Sequence, residues 1–230
     1  MYQYETHLHT FPVSKCGKVG VRENLEFYKN AGYAGVFITN HFIDGNMSPC
    51  EGGYAERINF YFSDYEEAAA LASEIGIAVF CGVEISYKGT DFLIYGLDKA
   101  WFLAHPEYET MRIREKLALL RQHGALVIQA HPFREDYYID HIRLYPRDVV
   151  AIETYNACRT DVENTMAAIY AEKYQLLPFS GTDNHIGAKR PMLGGMASET
   201  PIIDEADFIQ RVLNGTMSLI HQPNPLYTEE

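Results

Sequence analysis

Seven short apolar segments, most of them separated by amphipathic helical patterns, constrain the fold of this chain more than any other feature. Each segment has the length and apolar content of a buried strand. Strands that alternate with helices predict right-handed βαβ units and a parallel sheet, which either closes as a barrel or stays open. The predicted strands cover residues 2–8, 34–40, 77–85, 91–97, 125–131, 149–156 and 176–182, and the predicted helices cover 22–32, 63–76, 109–124, 161–175 and 204–215.

The helix predicted over residues 63–76 opens with Ser63 and has Glu66 three residues later, which is the spacing of a capping box. The segment before it, residues 42–62, contains glycines and aromatic residues. We therefore predict a long loop there, of the kind that forms lids and substrate walls.

The size of the chain fits one large core. It has 230 residues, of which 47% are hydrophobic, and we expect one domain over residues 1–230. No apolar run approaches the roughly 20 residues of a membrane span, and residues 1–10 lack the apolar segment of an export signal. The four cysteines form no CxxC pair, so we expect reduced thiols and a cytoplasmic location.

The charge of the chain limits its partners. A formal net charge of -12 repels nucleic acid phosphates at long range, so a nucleic acid partner is not expected. A small phosphorylated substrate is still compatible, because bound metal ions reverse the local sign of the charge. No GxGxxG or GxxxxGK[ST] motif follows a predicted strand, which removes support for a dinucleotide or P-loop site.

Ionisable side chains gather where the predicted strands end. Parallel strands place these ends on one face, the face that carries the active site in barrel enzymes. His7 and His9 share one face of the first strand, so we predict that both bind the same ion. Imidazole and carboxylate groups together are ligands for Zn²⁺, Mn²⁺ or Fe. The candidates are His7, His9, His41, Glu84, His131, Asp183 and His185, with Asp91 at the opposite end of its strand.

Five short motifs resemble, in order, those of the PHP (polymerase and histidinol phosphatase) family: HLHT (7–10), ITNH (38–41), GVEI (82–85), AHP (130–132) and GTDNH (181–185). The resemblance spans nearly the whole chain. It implies a distorted seven-stranded (βα)7 TIM-like barrel, two to three divalent metal ions (Zn, Mn or Fe, with Mg possible) and hydrolysis of phosphate esters by metal-activated water.

The resemblance also implies the roles of the candidate ligands. His7, His9, Glu84 and Asp183 would hold one ion. Glu84 would bridge to a second ion that His131 completes, and His41 and His185 would belong to a third. Catalysis would then depend on Glu84, Asp183 and His185.

The chain departs from the family pattern in three places. Asn40 stands where an aspartate is usual, and it can still form hydrogen bonds behind the ligands. Asp91 stands where many members have a histidine that completes the second site. The loop over residues 11–17 offers Ser14, Lys15 and Cys16 where relatives often have an aspartate or histidine.

Cys16 has two interpretations in this loop. As a thiolate ligand it would favour Zn²⁺ over Mn²⁺ at the third site, and otherwise it is a small buried apolar residue.

Three arginines follow the motifs and are candidates for gripping a substrate phosphate: Arg134, Arg159 and Arg190. For each of them the alternative is a surface salt bridge.

The sequence thus predicts a metal-dependent phosphoesterase that acts on a small metabolite. The alternatives are a phosphodiesterase or 3′-exonuclease, which would need a basic track with exposed aromatic residues, and a non-catalytic metal-binding regulatory module.

Overall fold

The computed structural model describes residues 1–228. Within that range nine strands alternate irregularly with six α-helices. The strands are β1 (Tyr2–Leu8), β2 (Gly35–Ile38), β3 (Ala78–Tyr87), β4 (Thr90–Tyr95), β5 (Leu126–Ala130), β6 (Ala151–Asn156), β7 (Leu177–Gly181), β8 (Met192–Ser198) and β9 (Ser218–Pro223). The helices are α1 (Val21–Asn30), α2 (Tyr54–Ile75), α3 (Lys99–Ala104), α4 (Ile113–Gln122), α5 (Asp161–Tyr174) and α6 (Glu205–Leu213), and short 3₁₀ turns cover Pro106–Thr110 and Gly187–Lys189.

All nine strands belong to one mixed sheet with the order β7-β6-β5-β4-β3-β2-β1-β8-β9. The sheet is nearly closed into a barrel, because the chain after β7 returns to the end of β1. There the amide of His9 donates to the Asn184 carbonyl (3.0 Å), and the amide of Asn184 donates to the His7 carbonyl (3.2 Å). The mixed α/β, barrel-like architecture is therefore confirmed.

The seven-stranded detail of the prediction is not confirmed. All seven predicted strands are present, but β8 and β9 were missed. β8 reads MLGGMAS and lacks the bulky apolar residues that mark a buried strand. Its glycines are needed for close packing, since a Cβ on Gly194 would lie 2.2 Å from the Gly181 carbonyl oxygen.

The expectation of a wholly parallel sheet is wrong at β4, β8 and β9. β4 runs antiparallel to both β3 and β5, because a two-residue turn at Lys88 and Gly89 joins β3 to β4 as a hairpin. Both turn residues have positive φ (51° and 80°), as tight hairpin turns require. The reversal brings Asp91, at the start of β4, to the same rim as the end of β3.

The boundaries of α2 differ from the prediction. The helix begins at Tyr54, so the predicted capping box is wrong: Ser63 lies inside the helix and its hydroxyl donates to the Phe60 carbonyl (2.7 Å). The Glu56 carboxylate instead accepts from the Gly53 amide (2.9 Å) at the true start. The loop predicted over residues 42–62 is correspondingly shorter, and α3 was missed.

One end of the barrel is filled by aromatic side chains. Phe208 of α6 packs against Phe37 (ring centroids 4.3 Å apart), Tyr95 (5.2 Å) and Phe179 (6.2 Å). These three rings come from β2, β4 and β7, so Phe208 plugs the barrel interior from below. The opposite rim, where β1, β2, β3, β5, β6 and β7 end, stays open for polar side chains.

None of the helices in the part of the chain described here has the length and apolar character needed to cross a membrane.

Candidate metal centre

His7 and His9 lie side by side at the end of β1, with their rings 5.1 Å apart. Both are fully buried. His7 Nε2 lies 3.1 Å from Glu84 Oε1, and His9 Nε2 lies 3.5 Å from Glu84 Oε2. The two imidazoles therefore point at the same carboxylate, which comes from β3.

Asp183 and His131 complete the wall around Glu84. Asp183 Oδ1 lies 3.6 Å from His7 Nε2 and 3.3 Å from His9 Nε2. His131 Nε2 lies 3.4 Å from Glu84 Oε1 and 3.9 Å from Asp183 Oδ2. Asp183 and His131 both have positive φ (59° and 24°), and strained backbone of this kind concentrates at functional sites.

Asp91 reaches the cluster because β4 is antiparallel to its neighbours. Its Oδ2 atom lies 3.8 Å from His131 Nε2 and 3.0 Å from Arg134 Nη2. In a parallel strand this residue would sit at the plugged end of the barrel. The Asp91 carboxylate instead lies between the cluster of candidate metal ligands and Arg134.

His41 and His185 lie on the other side of His9. The ring of His9 is 4.3 Å from that of His41 and 4.1 Å from that of His185. His41 Nδ1 lies 2.6 Å from Glu84 Oε2. His185 Nδ1 lies 2.8 Å from the Asp183 carbonyl oxygen, so its Nε2 atom keeps a lone pair for a ligand when Nδ1 is protonated.

The structure thus brings all eight predicted ligand residues to one rim. Ligand-type atoms converge in four overlapping sets: His9, His41 and His185; His7, His131 and Asp183; His7, His9 and Glu84; and Glu84, Asp91 and His131.

The donor set and its geometry fit divalent ions. Several buried atoms have no hydrogen-bond partner in residues 1–228, namely His7 Nε2, His9 Nε2, His41 Nδ1 and both carboxylate oxygens of Glu84. They approach one another without hydrogen-bond geometry. Ligand atoms around a tetrahedral ion with bonds of about 2.0–2.2 Å lie about 3.3–3.6 Å apart, close to the separations found here. Cations bound between these atoms would satisfy them.

The charged groups of the cluster shift one another's pKa values. Burial alone would raise the pKa of Glu84, but the imidazoles of His41 and His7 outweigh it and hold that pKa well below its ordinary value. Burial and the nearby imidazoles of His185 and His41 hold the pKa of His9 well below its ordinary value. Burial alone would lower the pKa values of His7 and His41, but Glu153 beside His7 and Glu84 beside His41 outweigh it and raise both pKa values well above the ordinary value. A metal ion that binds these two imidazoles would therefore displace their protons.

Glu153 belongs to the candidate site, and the sequence analysis missed it. Its Oε1 atom lies 2.8 Å from His7 Nδ1, and its Oε2 atom accepts from the His131 amide (3.0 Å) and from Asn156 Nδ2 (2.9 Å). A carboxylate behind a ligand histidine fixes the orientation of its ring. The available signal was a glutamate inside an apolar strand, where a charge is not buried without partners.

Asn40 lies behind His9 and forms hydrogen bonds as predicted. Its Oδ1 atom accepts from the Thr10 amide (2.7 Å) and from the Ser14 hydroxyl (2.7 Å). The Ser14 hydroxyl in turn lies 3.1 Å from His9 Nδ1 and accepts from the His41 amide (3.0 Å). Asn40 thereby helps to hold two of the candidate ligands in place.

The loop over residues 11–17 presents its three polar residues differently. Ser14 is fully buried and Lys15 is exposed to solvent. Cys16 is half-buried and interacts with the imidazoles of His185 and His41. Burial raises the pKa of the Cys16 thiol, but these imidazoles outweigh it and lower the pKa to about 6.

A cleft of about 770 Å³ opens above the cluster. Its walls include the three predicted arginines, Arg134, Arg159 and Arg190, whose buried Nε atoms have no hydrogen-bond partner among the residues described. Arg134 Nη2 donates to the Gly89 carbonyl (3.3 Å) and pairs with Asp91. Burial opposes the charge of Arg134, but Asp91 outweighs it, so the pKa of Arg134 lies above its ordinary value.

Comparisons with known proteins show relatives only at the level of the fold. No family model and no curated protein matches the chain. Among solved structures, a two-domain protein from Bacteroides vulgatus that contains a predicted PHP-like metal-dependent phosphoesterase is similar, with a TM-score of 0.71 at 13% identity over 95% of this chain. The chain spans 64% of the length of that protein.

Two further structures are similar over almost their whole length. A proposed metal-dependent phosphoesterase from Bifidobacterium adolescentis has a TM-score of 0.57 at 14% identity, covering 93% of this chain and 96% of its own. An amidohydrolase from Chromobacterium violaceum, with bound sulfate and no metal, has a TM-score of 0.59 at 14% identity, covering 94% and 97%. The expected resemblance to PHP-like phosphoesterases is confirmed by these neighbours as a shared fold.

Proposed function

We propose that this protein is a metal-dependent phosphoesterase that hydrolyses the phosphate ester of a small metabolite. One observation carries the proposal: a buried cluster of imidazoles and carboxylates lies in the same cleft as three arginines, Arg134, Arg159 and Arg190. The cluster suits divalent cations and the guanidinium groups suit an oxyanion. A phosphate ester is a substrate that needs both.

The ligand assignment takes its division among three ions from the resemblance to the PHP family, and the converging sets of atoms support it in part. A first ion would be held by His7, His9, Glu84 and Asp183, a second by Glu84, Asp91 and His131, and a third by His41 and His185, with Zn²⁺, Mn²⁺, Fe or Mg²⁺ as candidates. Bound ions would supply positive charge for the phosphoryl oxygens and would make a water nucleophile more acidic. Glu84 is the shared member, since its two oxygens face different histidines.

The protein's own cations would orient the substrate. Arg134 is anchored at one Nη atom by Asp91 and by the Gly89 carbonyl, while its Nε atom has no hydrogen-bond partner within residues 1–228. A planar guanidinium held in this way can grip two oxygens of a phosphate. We assign Arg134, Arg159 and Arg190 to phosphate binding.

The size and charge of the cleft favour a small monoester over a polymer. A volume of about 770 Å³ suits a ligand of metabolite size. Asp44 and Asp136 also line the cleft, and the chain carries a net charge of -12, which disfavours a nucleic acid backbone. The name of the Chromobacterium violaceum neighbour raises amide hydrolysis as a rival, but the arginines favour phosphate.

A substrate panel tests the proposal. Metal-free protein is reconstituted with Zn²⁺, Mn²⁺, Fe²⁺ or Mg²⁺, its metal content is measured, and it is assayed with an aryl phosphate, a bis-aryl phosphodiester, a single-stranded oligonucleotide and an aryl amide. We expect turnover of the monoester that is lost in chelator. Preferred cleavage of the diester or oligonucleotide would replace the proposal with the phosphodiesterase alternative. Full metal content without any turnover would identify a non-catalytic metal-binding module.

A further inference from the structure

The loop over residues 11–17 contributes one side chain to the cleft that the ligand assignment above leaves unused. Of its three polar residues, Ser14 is committed to the backbone and side chains behind His9, and Lys15 extends into solvent. Of the three, Cys16 is the one that lines the cleft, together with His41 and His185. The possibility that Cys16 is merely a small buried apolar residue does not agree with this placement.

We propose that the Cys16 thiolate, together with His41 and His185, binds a third ion and makes that site selective for thiophilic metals such as Zn²⁺. The inference rests on the proposed metal centre and deepens it. It assigns a ligand and a class of metal to the least complete of the three sites.

Backbone hydrogen bonds on both sides of Cys16 hold it between the two histidine segments. The amide of Lys15 donates to the Asn46 carbonyl (3.0 Å), in the segment that follows His41. The amide of Lys18 donates to the His185 carbonyl (2.8 Å). The loop is therefore hydrogen-bonded to both segments, and Cys16 lies between the two hydrogen-bonded residues.

Hydrogen bonds within the turn hold the backbone on both sides of Cys16. The Ser14 amide donates to the Thr10 carbonyl (3.0 Å), and the Gly17 amide donates to the Ser14 carbonyl (3.0 Å). A Cβ on Gly17 would lie 3.0 Å from the Thr10 carbonyl carbon, so the glycine allows the chain to fold back closely. The position of Cys16 thus follows from the packing of the loop.

The surroundings of the thiol point to an ion. His41 Nδ1 is buried without a hydrogen-bond partner among the described residues, and the side chain of His9, which stacks on His185, has the same property at Nε2. Two neutral imidazoles leave a tetrahedral ion short of ligands and of negative charge. A thiolate supplies both, and on binding the thiol proton passes to solvent.

Softness of the ligand sets the selectivity. Thiolate with imidazole favours Zn²⁺ over Mn²⁺ or Mg²⁺, whereas carboxylate and imidazole at the other sites accept several metals. A second cleft cysteine provides a matched control. The Cys158 thiol donates to the Asp183 carbonyl (2.9 Å) and is not aimed at the histidine pair.

The test uses full-length, metal-free protein titrated with Co²⁺, with Cys16→Ser, Cys158→Ser and Cys16→Asp as variants. We expect a near-ultraviolet sulfur-to-cobalt charge-transfer band in wild type and in Cys158→Ser, and its loss in Cys16→Ser. Elemental analysis after zinc loading should show one zinc fewer per chain in Cys16→Ser. Cys16→Asp should restore the full ion count without the band and should accept Mn²⁺ more readily at that site.

Several outcomes would overturn the inference. They are a charge-transfer band that persists in Cys16→Ser, an equal zinc count in wild type and Cys16→Ser, and loss of the band in Cys158→Ser alone. If Cys16→Ser keeps two ions and monoester turnover, the proposed phosphoesterase function stands whether or not the band is lost. If wild-type protein binds no Co²⁺ or Zn²⁺ but hydrolyses the monoester with Mn²⁺, Fe²⁺ or Mg²⁺, the inference fails and the proposed function stands. If it binds none of these ions, both fail.

Discussion

Replacement of Arg134 by alanine tests whether the cleft binds phosphate. The guanidinium is anchored on one side only, by Asp91 (3.0 Å) and the Gly89 carbonyl (3.3 Å). Its Nε atom is buried without a partner in the described chain, and the side chain is 15% exposed. If Arg134 binds an oxyanion, the alanine variant removes that contact and leaves the cleft otherwise intact.

The expected magnitude follows from the charge of both partners. A hydrogen bond between charged groups contributes about 1.5–3 kcal/mol, and each 1.4 kcal/mol corresponds to about a tenfold change in affinity. Inorganic phosphate should therefore inhibit Arg134→Ala about 10- to 150-fold less well than wild type, with a parallel rise in KM. Arg134→Lys should fall between the two, because it keeps the charge and loses the planar fork.

Metal analysis separates this role from a structural one. Asp91 loses its ion pair in the variant, so the carboxylate becomes more available to an ion, and the metal content should not fall. Arg143→Ala serves as a control, because Arg143 donates to the neighbouring Lys88 carbonyl (3.0 Å) and does not line the cleft. Unchanged inhibition by phosphate in Arg134→Ala would refute the assignment and leave Arg134 as a structural partner of Asp91.

Three further substitutions test the centre and the barrel. Glu84→Gln removes a charge with little change in shape, so metal content and turnover should fall together while the circular dichroism spectrum is kept; full metal content with full activity would contradict a bridging role. Glu153→Gln should weaken metal affinity about 10- to 100-fold in competition with a chromophoric chelator, because the histidine it orients is less firmly held; an unchanged affinity would exclude that support. In urea unfolding, the free energy of unfolding of Gly194→Ala should fall by about 1–3 kcal/mol, because the new Cβ clashes with Gly181. The Cβ of the control variant Gly20→Ala meets nothing closer than 4.0 Å, so its free energy of unfolding should stay within about 0.5 kcal/mol of wild type. Equal stability of both variants would contradict the close packing.

Most residues of the candidate metal centre could be predicted from the sequence, because they lie where predicted parallel strands end. His7, Glu84, His131 and Asp183 each follow or end an apolar run, and parallel strands bring such ends together. The same rule placed Asp91 at the wrong end. Its true position depends on the hairpin turn after β3, which reverses β4 and carries no apolar signal.

Other features depend on tertiary packing and were not visible in the sequence. β8 is a strand because its small residues fit between β1 and the end of β7, and small residues have little strand preference of their own. Glu153 looks like an ordinary strand residue until His7 and His131 are seen around it. Local sequence patterns therefore identify the candidate ligands better than the groups that support them.

The departures at Asn40 and in the loop over residues 11–17 belong to one structural unit. Asp64 of α2 is buried, and its Oδ2 atom accepts from the Thr10 hydroxyl (2.6 Å), the Val13 amide (3.2 Å) and Asn40 Nδ2 (3.2 Å).

The carboxylate of this unit is therefore that of Asp64, and an aspartate at position 40 would place a second carboxylate within hydrogen-bond distance of it. The neutral amide instead donates to Asp64 and accepts from the Thr10 amide and the Ser14 hydroxyl, the residues at which the loop begins its turn. Because that turn fixes Cys16 beside His41 and His185, the asparagine and the cysteine are best understood together. The Asn40 side chain stabilises the turn of the loop, and the turn positions Cys16 in the cleft.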